Sequence, residues 1–301
     1  MRIYAQLYRT YPQLFESYPQ HYPRMDSITL RLVMGLSLGA LIGLFAWRVG
    51  ALSPSGAWAA ALTGGMVFGL GGLDWAVLLL AFFISSSTWS RLFASRKASF
   101  QAGLTEKYAK GSQRDWGQVL ANGGLGALLA VASSLLPNSV WPWVAFGGAM
   151  AAVNADTWAT ELGVFNLALP RLITNGRVVE RGTSGGVSLL GYLAALGGAA
   201  LIGGLAWLLK AGGSFTPIAL VGAVTLAGVM GSTVDSILGA TLQAIYFCPQ
   251  CAKETERHPL HTCGTRTTLR RGWRWLNNDL VNLFCSVVGA VSAWGLWVLF
   301  A

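Results

Sequence analysis

Two carboxylates stand in NADTWATELG, residues 154–163, directly after the apolar run WPWVAFGGAMAAV: Asp156 and Glu161. A carboxylate deep in a bilayer costs roughly 2.5 to 3.5 kcal/mol even on lenient scales, so something must offset it. Similar polar groups interrupt other apolar stretches. In GSTVDSILGATLQ, residues 231–243, Ser232, Asp235, Ser236, Gly239 and Gln243 follow steps of three and four and share one helix face. NNDLVN, residues 277–282, places Asn278, Asp279 and Asn282 at the start of another apolar run, and RDWGQVLANGG does the same with Asp115, Gln118 and Asn122. Oxygen-rich sets of this kind suit a hard cation such as Mg²⁺. Asp156 and Glu161 are five residues apart, about 140° around an ideal helix. They can serve one ion only if the helix is bent, unwound or flanked on two sides.

A second chemistry is written in RGTSGG, residues 181–186. Gly, Ser and Thr at a helix start leave backbone N–H groups free for an anion, and Arg171, Arg177 and Arg181 lie nearby. Thr183, Ser184, Gly185 and Gly186 are therefore candidates to cradle phosphate. The stretch is no Walker loop, because no Gly-Lys-Ser/Thr follows. Metal-binding acids beside a phosphate cradle point to metal-assisted phosphate chemistry on a lipid. A third set lies in CPQCAKETERHPLHTCG: Cys248, Cys251 and Cys263 with His258 and His261 between them. Three thiols and one of the two His can supply four tetrahedral zinc ligands. Such a site would be structural, fixing the loop that leads into NNDLVN, and Cys285, inside an apolar run, reads as packing.

The elements that must position these groups are membrane helices. The 301 residues are 53% hydrophobic and only 11% charged, with 38 Gly and 13 Trp, whereas a soluble domain carries roughly 25% charge. Apolar runs near twenty residues give about eight spans: 28–47, 51–71, 73–93, 117–136, 140–162, 186–209, 216–246 and 279–300. The expected fold is an all-α polytopic bundle at 28–301, with loops at about 94–116, 163–185 and 247–278, the last being a short Cys/His loop. Residues 1–27, with Tyr-Pro steps at Tyr11, Tyr18 and Tyr22, read as an interfacial segment and not a signal peptide.

The basic residues orient the bundle. The loop after the third span carries Arg91, Arg96, Lys97, Lys107, Lys110 and Arg114. The loop after the seventh carries Lys253, Arg257, Arg266, Arg270, Arg271 and Arg274. The loops after spans four and six hold none and one, Lys210. By the positive-inside rule the basic loops are cytoplasmic, and every polar cluster above then falls at the cytoplasmic end of its span. The net charge of +9 follows mostly from that rule, and no module for nucleic acid stands outside the membrane.

NADTWATELG, PRLITNGRVVERGTSGGVSLLG, GSTVDSILGATLQ, the Cys loop and GWRWLNNDLVN, in this order, resemble the integral membrane family that includes plant phytyl-phosphate kinase and human transmembrane protein nineteen. The resemblance covers about residues 30–300. It implies transfer of a terminal phosphoryl group from a nucleoside triphosphate, CTP first among them, to an isoprenyl monophosphate, giving the diphosphate used in tocopherol and quinone synthesis. The chemistry of the residues themselves agrees, and assigns Asp156, Asp235 and Asp279 to Mg²⁺, with Glu161 as a further ligand or a group that orients one. Thr183, Ser184, Gly185, Gly186, Arg171 and Arg181 would hold nucleotide phosphates. Asn122, Asn154, Ser236, Asn278 and Asn282 would orient ligands, and the isoprenyl tail would lie between Gly-rich helices. Two rivals remain: CTP-dependent nucleotidyl transfer to a lipid phosphate, and transport of cations or lipid phosphates. Transporters place their site near midplane, which the one-sided polar clusters disfavour.

Overall fold

The structure, a computed structural model, describes residues 24–92, 113–210 and 216–300. The proposed interfacial segment up to residue 23 and the basic residues Arg96, Lys97, Lys107 and Lys110 lie outside them. Eight helices are described: α1 (Arg24–Arg48), α2 (Pro54–Met66), α3 (Leu73–Leu92), α4 (Trp116–Leu135), α5 (Trp141–Gly163), α6 (Leu189–Leu208), α7 (Pro217–Thr241) and α8 (Asn278–Phe300). A π-helical turn, Val67–Gly71, extends α2, and Gly72, at φ +87°, turns the chain into α3. Their order and length follow the apolar runs closely.

Six helices are long and apolar enough to cross a membrane: α1, α3, α4, α6, α7 and α8. The remaining two have other reasons to be helical. α2 is short. α5 is the innermost helix, packed on α3, α4, α6, α7 and α8, and every residue from Pro142 to Ala155 is buried. Small residues allow that enclosure, since a Cβ on Gly148 would come within 2.3 Å of the Gly289 carbonyl of α8. α1 and α2 use the same device as a ladder: Cβ atoms on Gly35, Gly39 and Gly43 would meet the carbonyls of Gly65, Ala61 and Ala57 at 2.5–2.7 Å, the close approach expected of small residues four apart in lipid. Leu41, Phe45, Leu128, Ile218 and Val291 point outward and are exposed, as lipid-facing side chains are.

The loops depart from the sequence reading in two places. The seventh helix stops at Thr241 and not at 246, because Ile245–Cys248 forms a strand. This strand, β3, is central in an antiparallel sheet of order β4-β3-β5, with β4 at Lys253–Thr255 and β5 at Thr268–Arg271. The sixth helix starts at Leu189, capped by Ser188 accepting from the Gly191 N–H at 3.1 Å. Thr183–Gly186 therefore do not open a helix. Thr183–Gly185 form the turn that leads into β2 (Gly186–Val187), which pairs antiparallel with β1 (Arg171–Leu172).

Candidate active site

The loop ends of α3, α5 and α7 meet the starts of α4, α6 and α8 around a cavity of about 310 Å³. α5 supplies Asp156, Thr157, Thr160 and Glu161; α7 supplies Ser232, Asp235, Ser236 and Gly239, with Gln243 just beyond it. Asn278 and Asn282 come from α8, and Gln118 and Asn122 from α4. Each pair is four residues apart, so one helix face presents both. The β1–β2 turn adds Arg181, Thr183, Ser184, Gly185 and Gly186.

The α5 carboxylates are flanked on two sides, with the helix unbroken to Gly163. Asp156 Oδ1 accepts from Ser232 Oγ of α7 at 3.4 Å, whereas Glu161 Oε1 accepts from Ser90 Oγ of α3 at 2.9 Å. Asp235 Oδ2 is buried and has no hydrogen-bond partner among the described residues. A buried carboxylate oxygen in that condition is costly, and the oxygens that Asp156, Asp235, Ser232 and Asn282 bring to this cavity are of the kind a hard divalent cation takes. Glu161 is offset differently. Arg114, just before α4, lines the cavity too, and burial pulls its guanidinium down to about 10 while Glu161 acts to raise it. In the sequence Arg114 is one of six basic residues of its loop, and nothing there singles it out as the partner of a buried acid.

Four expected site residues lie elsewhere or act otherwise. Asp279 is not on the cavity wall, since the face that presents Asn278 and Asn282 turns it about 100° away from Asn278. Asn154 is fully buried a level deeper, its amide donating to the Gly198 carbonyl at 2.8 Å and its Oδ1 accepting from Ser85 Oγ at 3.0 Å; it ties α5 to α6 and α3. Arg171 is exposed and donates to the Gly176 carbonyl within its own hairpin at 2.9 Å. Gln118 closes a capping box with Asp115 as well as facing the cavity. The glycine turn is also no open cradle of four N–H groups. Those of Thr183 and Gly186 bond within the turn, to Glu180 and Thr183 carbonyls at 3.2 and 2.9 Å. Gly185, at φ +81°, sits so tightly on α7 that a Cβ would fall 2.4 Å from Ala240 Cβ. What the turn offers the cavity is the hydroxyls of Thr183 and Ser184, beside Arg181.

Glu256 is the residue the sequence did not reveal. It follows β4 and enters the cavity, accepting from Gln243 Nε2 at 2.9 Å and from Ser184 Oγ at 3.3 Å. Nothing in KETERH distinguishes it from a solvated loop acid; only the β3–β4 hairpin brings it back. The same sheet grips the site through Arg271 on β5, whose guanidinium donates to the carbonyls of Gly239 at 2.7 Å and Ser184 at 3.4 Å. Partial burial holds that guanidinium below its ordinary value.

Behind this wall the thiols converge. The donor atoms of Cys248, Cys251, His261 and Cys263 all lie within 4.8 Å of one another. Cys248 Sγ is 3.6 Å and His261 Nδ1 3.3 Å from Cys263 Sγ. Zinc bond lengths of about 2.3 Å to sulfur and 2.0–2.1 Å to nitrogen give tetrahedral edges of about 3.5–3.8 Å, so the four could hold zinc with little movement. Hydrogen bonds from Thr265 and then His261 pull the Cys263 thiol down to about 6, and Cys263 pushes Cys251 up to about 11. His258 is excluded: it is exposed and stacks on Tyr246 at 4.4 Å.

Residues 37–290 match the family model described as "Integral membrane protein DUF92". Among curated proteins, the chain is similar to Protein PGR of Arabidopsis thaliana, 34% identical over 245 residues, 74% of this chain and 82% of that protein. It is also similar to the uncharacterized membrane protein MJ0933 of Methanocaldococcus jannaschii, 29% identical over 262 residues, 87% of this chain and 92% of that one. Protein VTE6, chloroplastic, of Arabidopsis thaliana is 25% identical over 246 residues, 80% of this chain and 64% of that protein. No solved structure matches.

Proposed function

The chain belongs to the integral membrane protein DUF92 family, and on that premise we propose that it is a lipid-phosphate kinase, moving the terminal phosphoryl group of CTP or another nucleoside triphosphate onto an isoprenyl monophosphate such as phytyl phosphate. The family is the one its motifs resemble. The carrying observation is the union, in one cavity at one end of an apolar bundle, of Asp156 and Asp235 with the hydroxyl, amide and guanidinium donors of four other segments. At the other end the charges of the described residues are a Lys210–Asp74 ion pair beside Trp143 and Arg24, Asp26 and Arg31 in the first turns of α1, a poor fit to a transport path open to both sides.

The acceptor is already an anion, so its oxygen can attack the γ-phosphorus without a base. The bond to the bridging oxygen breaks, and the nucleoside diphosphate leaves with those electrons. Such a reaction asks for neutralisation and alignment. Asp156 and Asp235 would hold Mg²⁺, which when bound screens the phosphate charges. Asn278 and Asn282 donate from the α8 side, Thr183, Ser184 and Arg181 from the turn. Glu256 orients Gln243 and Ser184 by accepting from both. Cys248, Cys251, His261 and Cys263 would hold a structural zinc that keeps the hairpin bearing Glu256 against the cavity. Arg91, Arg114, Arg181 and Arg271 stand at this end of the bundle, which favours a cytoplasmic site.

The test is incubation of purified protein with Mg²⁺, CTP, ATP or GTP, and phytyl, geranylgeranyl and farnesyl monophosphates, with products read by mass. Lipid diphosphate with CDP supports a kinase. A CDP-lipid with released diphosphate would make it a nucleotidyltransferase instead.

A further inference from the structure

A second cavity, about 100 Å³, lies between α1, α2, α3 and α4. Its walls are almost wholly apolar, among them Leu38, Ile42, Gly64, Phe82 and Phe83. It shares Arg114, Gln118 and Asn122 with the polar cavity. The two spaces thus meet at one wall, and a guanidinium stands in it. Arg114 lies over the Phe82 and Phe83 rings at 5.3 and 5.6 Å and donates to Ser86 Oγ at 2.8 Å. Its backbone is fixed between α1 and α2: the Arg114 carbonyl accepts from the Ser53 N–H at 3.0 Å, and its N–H donates to the Ala51 carbonyl at 3.1 Å.

An always-charged fork at the neck between a polar and an apolar space suits a ligand with an anion at one end and hydrocarbon at the other. Guanidinium pairs two phosphate oxygens at once; one of the five N–H donors of Arg114 is given to Ser86 Oγ, which leaves others for an anion. We propose that Arg114 receives the phosphate of the acceptor lipid, and that the apolar cavity behind it takes the adjoining part of the hydrocarbon tail. This rests on the kinase reading for the identity of the acceptor, although the site itself requires only a lipid monophosphate. It assigns the acceptor to the α1–α4 side of the molecule and leaves the β1–β2 turn to the nucleotide.

The cavity can be filled selectively. A Cβ at Gly64 would meet no atom within 4 Å, so Gly64→Leu grows into open space, whereas side chains at Gly35 or Gly39 would force α1 and α2 apart. Wild type, Gly64→Leu, Ile42→Phe and Arg114→Lys are compared in detergent, with binding of phytyl monophosphate, dodecyl phosphate and free phytol measured by native mass spectrometry, and turnover followed separately. The filled variants are expected to lose affinity for both phosphates by about tenfold or more, with nucleotide KM unchanged. Arg114→Lys should weaken both phosphates and leave phytol unaffected. Binding lost in this pattern without turnover of any acceptor would sustain the site and overturn the kinase reading. Turnover with an acceptor KM unmoved in both filled variants would overturn the tail site and spare the kinase. Phytol bound as well as its phosphate, with Arg114→Lys inert, would reduce the cavity to a slot for bulk lipid, and no alkyl phosphate bound by wild type would dismiss it.

Discussion

Asp235→Asn tests the cation site where the structure is most specific. The change keeps the side-chain volume and removes the charge from a group whose Oδ2 is buried without a partner among the described residues. Ser232, one turn earlier, gives its hydroxyl to Asp156 and not to Asp235, so no nearby donor compensates. A buried unsatisfied polar group costs about 1–3 kcal/mol, and two carboxylates lining one cavity add repulsion. Metal-free Asp235→Asn should therefore be no less stable than wild type, since the amide remains a buried polar group but the charge and its repulsion are gone. In wild type, Mg²⁺ with nucleotide should raise the melting temperature by mass action, about 2.7 kcal/mol at a hundredfold excess over Kd. The variant should lose that gain, and its turnover should fall by about 10²–10³, the scale of removing one preorganised electrostatic group. The assay is thermal unfolding in detergent with and without Mg²⁺ and CTP, alongside product formation. A variant that melts earlier without metal, yet turns over normally, would show that Asp235 bonds structurally and that the cation reading is wrong.

Three further outcomes are expected. Asp156→Asn should match Asp235→Asn in both readouts, while Asp279→Asn, off the cavity wall, should keep turnover within a few-fold; the reverse order would restore Asp279 to the site. Glu256→Gln should lower turnover while circular dichroism stays unchanged, and activity equal to wild type would make Glu256 a bystander. Metal analysis should give about one zinc per chain, lost in a Cys248→Ser, Cys251→Ser double variant along with much of the activity. Protein isolated without zinc, yet stable and active, would leave those thiols without a metal role.

Helices were legible because lipid imposes one rule on them: about twenty apolar residues per crossing. That rule found α5 as readily as the others, although it is the enclosed centre of the bundle, for Ala and Gly serve close packing as well as they serve lipid. The faces carrying Asp235 and Asn282 were readable from steps of three and four. Helix phase, by contrast, separates Asp279 from Asn278, and no single residue in NNDLVN declares it. The depth of Asn154 was hidden for the same reason, since an amide that ties helices looks like one that binds a ligand until its partners Gly198 and Ser85 are known. Arg114 and Glu256 were missed because loop charges carry no period. Their place comes from long-range contacts, with the α1–α2 connection for one and the β3–β4 hairpin for the other. RGTSGG has the residue types of a helix start, but Ser188 and not the glycine pair caps α6.

The central claim is that the γ-phosphorus moves to a lipid phosphate, and its fate can be followed directly. Purified protein is given Mg²⁺, CTP labelled at the γ-phosphorus and phytyl monophosphate, and the label is traced after separation of lipid from water-soluble products. The account predicts label in a lipid diphosphate, with unlabelled CDP formed in equal amount. Label released as diphosphate, with cytidine carried on the lipid, would contradict it.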